Sequence, residues 1–324
     1  MKQEFGGCLP LEACLHQNPK KMPSTNIVAL NSGRSAIYYA VRHSNCHTIY
    51  LPYYTCPTIR EFLEMRGVHV KEYSILPDYS PDIPSLQEGE ILLWTNYYGC
   101  MKPSVIANIA ATYGPRLILD NCQAFFSAPV PTVYNVYSIR KFIGVPCGSY
   151  VYLPEGTAAL SALPEPEDVP FNDTYLRVAK EHGSNAAYQL YLKHAESFKT
   201  TYGKMPEEVE NTLQHVDFHS ISSQRLRNFQ TLHKILGGNN PLPLTFDGKA
   251  AYMYPYFSQK KNLQTALLKH CIYSPTWWRR ALTLSQTSEF EKMLVEHIVP
   301  LPIDHRYSVE QMEELAQIVQ KESR

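Results

Sequence analysis

The sequence predicts an α/β fold: a mostly parallel sheet flanked by helices in a large domain, followed by a smaller C-terminal α/β domain. Between about residues 26 and 153, short apolar runs alternate with helical segments, which is the pattern of βαβ units. The chain has 324 residues, 44% hydrophobic and 19% charged, enough apolar material for a real core and too little charge for a disordered chain. That length suggests two domains or one large domain with an appendage.

The elements follow in order. An apolar run, IVAL, leads into a helix, RSAIYYAVRH, and buried strands are expected at 48–52 (TIYLP), 68–73 (VHVKEY), 91–95 (ILLWT), 117–120 (LILD) and 133–138 (VYNVYS). A helix over 58–66 puts Ile59, Phe62 and Leu63 on one face and closes at Gly67. Another over 103–113 opens with Pro103 in its first turn. The stretch 154–237 reads mostly as helix, broken by the Pro-rich LPEPEDVP at 163–170, with a helix at 222–236. The run Gly237-Gly238-Asn239-Asn240-Pro241 is the clearest punctuation. It places the large domain at 1–237 and the small one at 238–324, with a strand at 251–257, helices at 259–270 and 287–297, and a strand at 298–301. A last helix starts at Ser308, where Gln311 completes a capping box and Met312, Leu315, Ile318 and Val319 form a buried stripe.

Lys and Arg number 30 and Asp and Glu 30, so the electrostatic footprint of a general nucleic-acid binder is missing. No run of about 18 apolar residues is present, and Glu4 and Pro10 interrupt the N-terminal stretch where a signal peptide needs apolar residues. A cytoplasmic protein that does not enter membranes is expected. The eight cysteines (8, 14, 46, 56, 100, 122, 147 and 271) contain no Cys-x-x-Cys pair. His215 and His219 stand four apart without an HExxH motif. No metal site is expected, and the thiols should be free and reduced.

Three segments fall at the carboxyl ends of predicted strands, where parallel α/β sheets bind ligands. The turn Asn31-Ser32-Gly33-Arg34 opens a helix, whose first N–H groups and dipole favour a phosphate. An ordinary N-cap at Ser32 is the alternative. Asp120 ends LILD at the rim of the core, where a carboxylate needs a cation or several donors; here too an N-cap is the alternative. Lys141 follows Ser138 by three residues, flanked by Phe142 and Ile143. Burial makes a lysine a nucleophile toward carbonyls, whereas snorkelling to the surface beside Arg140 would make it inert. Together the three suit pyridoxal 5'-phosphate. That cofactor needs a lysine for its aldehyde, an acid at its pyridine nitrogen and donors for its phosphate.

The ordered segments NSGRSA, LPYYTCPTIREFLEMRGV, WTNYYG, LILDNCQA, YSIRKFIGVPCGSYVY, IYSPTWW and VPLPIDHRYSVEQMEELAQIV span most of the chain. In that order they resemble the DegT/DnrJ/StrS sugar aminotransferases, a fold-type-I pyridoxal-phosphate family. The resemblance implies that Lys141 bonds the cofactor and shuttles the Cα proton, and that Asp120 pairs with the pyridinium nitrogen. It places Gln123 near the phenolic oxygen, and the phosphate against Ser138, Ser32, Gly33 and Arg34. It also implies a homodimer with active sites at the subunit interface, moving an amino group from glutamate to a nucleotide-linked keto sugar for surface polysaccharide or related biosynthesis.

The sequence departs from the family in three places. Cys56 stands where many members have a ring-stacking Phe or Trp, leaving Tyr54 or Tyr53 to compensate. The serine-to-lysine spacing is shorter than usual, and a Gly-Tyr-Asn-Tyr-Arg segment after the lysine is missing. Tyr97, Tyr98 and Trp277 are candidates for substrate contacts, with core packing as the alternative for each. Two other functions compete: a pyridoxal-phosphate sugar dehydratase or lyase, which the presence of Lys141 disfavours, and an inactive homologue serving as a binding protein.

Overall fold

The computed structural model describes residues 3–13, 26–157, 166–242 and 249–324. Cys14 and the start of the Pro-rich break (163–165) lie outside the described residues. The strands are β1 (Phe5–Gly6), β2 (Ile27–Leu30), β3 (Thr48–Pro52), β4 (His69–Ile75), β5 (Pro81–Asp82), β6 (Glu90–Thr95), β7 (Leu117–Asp120), β8 (Tyr134–Ser138), β9 (Ser149–Tyr152), β10 (Met253–Phe257), β11 (Ile272–Tyr273) and β12 (Ile298–Pro302). The helices are α1 (Gly33–His43), α2 (Pro57–Glu64), α3 (Pro103–Tyr113), α4 (Thr174–His182), α5 (Ser184–Ser197), α6 (Glu207–Gln214), α7 (Phe218–Leu236), α8 (Leu263–Leu268), α9 (Glu289–His297) and α10 (Val309–Glu322).

The main sheet runs β2-β9-β8-β7-β6-β3-β4-β5. Its centre, from β4 through β3, β6 and β7 to β8, is parallel. Side chains alternate across it as strand geometry requires. Leu92, Trp94, Leu117 and Leu119 face a core shared with α3, α7 and the C-terminal elements. Ile91, Leu93, Ile118 and Val136 face one shared with α1 and α2. Each such side chain contributes roughly 1.5–3 kcal/mol by leaving water. The result is three layers, helix, sheet and helix.

The predicted strands at 48–52 and 117–120 and the helix at 103–113 coincide with β3, β7 and α3, and the other elements of 27–138 differ by a few residues at their ends. The sequence reading missed β9. It is four residues long and pairs antiparallel with both β8 and β2, a pairing that local patterns do not encode. The expected helix at 222–236 begins earlier, at Phe218, because Asp217 caps it by accepting from Ser220 N. The helix expected over 259–270 shortens to α8. His215 is the C-cap of α6 and His219 lies in the first turn of α7, so the two share no helix.

The N-terminal strand pairs in parallel with β11, Phe5 opposite Ile272. Beyond it the chain crosses toward the loop after β8, where Glu12 N donates to Gly144 O and Gly144 N to Glu12 Oε2. Gly144 has to be glycine, because a Cβ there would overlap Pro10 O. Residues 3–13 thus form a strap joining the C-terminal elements to the segment that holds Lys141.

Candidate functional site

Strand register assembles the site. Leu30 and Ser138 both pair with Ser149, on its two sides, so the carboxyl ends of β2 and β8 are level. Asp120 pairs with Val136 on β8 and with Thr95 on β6. Asp120 and Ser138 share the alternation of Ile118 and Val136, so both project to the α1 face. The turn opening α1, the acid and the serine therefore meet at one sheet edge.

At that turn Ser32 caps α1: its Oγ accepts from Ser35 N, while Ala36 N bonds to Ser32 O. Among the described residues the N–H groups of Gly33 and Arg34 have no acceptor, as is usual for the first helical positions. Asn31 is tied down separately. Its Oδ1 accepts from Ser35 Oγ at 2.6 Å, and its N–H donates to Gly203 O. Arg34 points away from the turn and donates to Thr58 Oγ1 and Phe198 O. Its Nε is buried without a partner.

Asp120 is buried, with Oδ1 accepting from Cys122 N at 2.9 Å. Cys122 Sγ lies against Gly33, 3.0 Å from where a Cβ would stand, so the helix N-terminus and the Asp120 loop touch. Burial pushes the Cys122 thiol well above its usual value, and Asp120 adds to that. Thr95 Oγ1 and Asn96 Oδ1, at the end of β6, are also buried without hydrogen-bond partners. Unpaired buried polar atoms are rare, and here they collect at one edge.

Lys141 sits on a turn anchored by fully buried Ile139, Phe142 and Ile143. Those anchors leave Arg140 and Lys141 lining a cavity of about 660 Å³ with Tyr252, Tyr175, Tyr191 and Gly6–Leu9. The stretch is not solvent-facing. Neither Arg140 nor Lys141 has a carboxylate within 4.0 Å among the described residues. Burial alone would lower the Lys141 ammonium, but Cys122 and Asp120 offset it and hold the group above the ordinary lysine value. With Cys122 protonated at neutral pH, Asp120 supplies that field. Asp120, Ser138 and the α1 turn lie behind Lys141, outside the cavity lining.

The remaining sequence candidates form a packed aromatic group. Tyr54, Tyr97 and Tyr98 are fully buried. Tyr98 N donates to Gln123 Oε1 at 2.7 Å, which holds Tyr98 at a positive φ of 62°. Tyr54 and Tyr98 share a hydrogen bond between their hydroxyls, and Tyr97 Oη donates to Tyr54 O. Trp277 stacks on Tyr98 at 5.6 Å and on Tyr252 at 6.2 Å. Core packing thus describes the two tyrosines 97 and 98, and Trp277 links them to the cavity wall. Cys56 keeps a contact with Thr58 Oγ1 at 3.1 Å, and Tyr53 lies at the surface end of the same loop, half-buried. Sequence reasoning treated Arg140 only as a warning of solvent exposure and missed Tyr252 and the Gly6–Leu9 strap. The only local signal for the strap was the Gly-Gly pair at 6–7.

The donor set fits pyridoxal phosphate. A lysine without a counter-ion among the described residues, a buried carboxylate and the N–H groups of a helix N-terminus all lie at the same edge. Among the described residues no cluster of three or more His, Cys, Asp or Glu could hold a metal, and no helix is long and apolar enough to cross a membrane.

No protein-family model matches the sequence, and comparison with curated proteins finds no relative. Solved structures do match. The putative sugar aminotransferase Spr1654 from Streptococcus pneumoniae, in its PLP-form, is 12% identical over 100% of this chain and 99% of its own, with a TM-score of 0.67. DesI, in the presence of its TDP-sugar product, is 12% identical over 92% and 81%, with a TM-score of 0.61. A DegT DnrJ EryC1 StrS aminotransferase from Brucella abortus is 13% identical over 91% and 85%, with a TM-score of 0.55. The chain therefore has the fold of these aminotransferases, the fold that the sequence motifs implied.

Proposed function

We propose that the protein is a pyridoxal-phosphate-dependent sugar aminotransferase of the DegT/DnrJ/StrS type, in a divergent branch. The observation that carries this is Lys141: a cavity-lining lysine with no carboxylate partner, one turn beyond β8, beside the buried Asp120 that ends β7. The likeness to sugar aminotransferases supports the reading, and the TDP-sugar of DesI supports a nucleotide-linked keto sugar as the amino acceptor. Glutamate as donor, a role in polysaccharide synthesis, a homodimer, a cytoplasmic location and the division into domains at residue 237 belong to the same proposal.

When bound, the cofactor supplies an electron sink that stabilises negative charge at the substrate Cα. Lys141 would hold its aldehyde, and as a free amine its Nζ moves the Cα proton. Asp120, buried and bonded to the backbone and side chain of Cys122, would pair with a protonated ring nitrogen. The N–H groups of Gly33 and Arg34, with Ser32 and Ser138, would hold the phosphate. Gln123 acts one step back, through its bond to Tyr98. Tyr54 packs behind the site, and Cys56 borders it through Thr58.

The test is the visible absorption of the purified protein with pyridoxal phosphate, wild type and Lys141→Ala, before and after L-glutamate. A yellow wild type that glutamate bleaches, with a Lys141→Ala protein lacking the chromophore, supports the proposal. A wild type that stays colourless with added cofactor rejects it. A second reading, a homologue that binds without turnover, draws on the separation of Asp120 from the cavity lining; a chromophore that glutamate and other amino donors leave unchanged would favour it.

A further inference from the structure

The cavity beside Lys141 is cationic in a specific way. Its charged lining consists of Arg140, Lys141, Arg225 and Arg279 against Asp304 alone. Two of these are already committed. Arg225 donates to Tyr252 O and Phe142 O, and Asp304 accepts two bonds from Arg306. Arg279 lies at the exposed rim and reaches Thr276 Oγ1.

Arg140 is different. Among the described residues it makes no hydrogen bond or ion pair, and it lies 5.1 Å over the Phe198 ring. Tyr175, Tyr191, Tyr252, Cys147, Cys8 and His194 lie near it, and the nearby charge that opposes Arg34 is its own. A guanidinium held on an aromatic platform in a cavity, with five donors and no acceptor, is a receptor for an oxyanion. Backbone bonds from Phe142 N and Ile143 N to Ile139 O close the turn that carries it.

We propose that Arg140 is the residue that recognises an anionic group of the substrate, a carboxylate or a phosphoryl group, next to the reacting carbon. The proposal rests on the functional reading above, because Lys141 defines where the substrate reacts. The strap residues Gly6–Leu9 line the same cavity, as do Tyr175 and Tyr191. The anion enters as substrate, distinct from the phosphate held at the α1 turn.

The experiment measures equilibrium binding by calorimetry to the full chain loaded with pyridoxal phosphate, in wild type, Arg140→Gln and Arg140→Lys. The probes are succinate, a dicarboxylate with no amine to transfer, and inorganic phosphate. Pyridoxal phosphate affinity of the same three proteins is read separately by absorbance, and thermal melting reports folding. The expected result is that Arg140→Gln weakens succinate or phosphate binding at least tenfold while Arg140→Lys recovers part of it. Cofactor affinity should stay within threefold. The probe that responds identifies the anion as carboxylate or phosphoryl. Unchanged binding of both probes in a folded Arg140→Gln protein overturns the proposal. A tenfold loss of cofactor affinity with unchanged probe binding also overturns it and assigns Arg140 to the cofactor's phosphate. Should the wild type fail to take up cofactor yet bind succinate through Arg140, the functional reading fails and the anion site stands.

Discussion

The Lys141 ammonium lies 5.7 Å from the centroid of the Tyr252 ring, and Tyr252 sits just before β10, in the C-terminal half of the chain. The ring therefore covers the lysine from an element more than a hundred residues away. A cation over a ring face gains about 0.5–2 kcal/mol. Tyr252→Phe keeps the ring and should leave pyridoxal phosphate affinity within about twofold. Tyr252→Ala should weaken it by about 2- to 30-fold, the range that energy spans. Titration by absorbance distinguishes the two, and equal effects of both variants would place the importance in the hydroxyl instead.

The strap gives a prediction about stability. Gly144→Ala forces a Cβ into Pro10 O, so the crossing of residues 3–13 over the Lys141 loop must open. Overpacking of this kind costs about 1–3 kcal/mol. Urea denaturation should show that loss, and limited proteolysis should cut the N-terminal segment faster than in the wild type. A variant with wild-type stability and cleavage rate would mean that the strap is not closely packed there.

Arg306 holds the same strap from the other side. Its Nη1 and Nη2 donate to Cys8 O and Gly6 O, while Nε and Nη2 grip Asp304. Burial alone would raise the Asp304 carboxyl, but Arg306 and Arg225 outweigh it and hold it below its usual value. The stabilisation is therefore present above the ordinary aspartate pKa and is lost as pH falls through the lower folded value. Asp304→Asn should cost about 3–5 kcal/mol at pH 7, the loss expected when one partner of a buried pair is removed. The gap from wild type should narrow as pH drops below about 4. Denaturation curves over a pH series give this directly, and a gap independent of pH would exclude the ionised carboxylate as its source.

Gln123 supports Tyr98 in a left-handed turn. Gln123→Ala leaves the buried Tyr98 N–H without an acceptor, at a cost of about 1–3 kcal/mol. Tyr98→Phe removes the hydroxyl's contacts with Tyr54 and Tyr79 and should cost about 1 kcal/mol. Chemical denaturation of both variants checks the order; the reverse order would show that the hydroxyl pair, and not the turn, holds the aromatic group.

Much of the site's framework is legible in the chain. LILD and VYNVYS are apolar enough to declare themselves strands, and a residue just past such a strand in a parallel sheet stands at the ligand edge. That rule places Asp120, Ser138 and the turn at Ser32 from the sequence alone. The role of Arg140 was not legible. Its sequence neighbours suggest a surface pair of cations, whereas its actual neighbours, Tyr175, Tyr191 with Phe198, and Tyr252, come from three distant segments. β9 escaped for a similar reason: four residues, Ser149–Tyr152, carry little pattern, and their hydrogen bonds come from β2 and β8.

The sequence by itself determined the alternation of strands and helices, the capped helix ends at Ser32 and Ser308, and the identity of the chemical groups at the strand ends. These depend on interactions within a few residues: periodicity, capping and turn propensity. The tertiary structure decided which groups share a space: that Tyr252 covers Lys141, that the strap walls the cavity, and that Arg140 is left without a counter-ion. Those outcomes follow from packing and from the burial of charge, which depend on elements brought together across the whole fold.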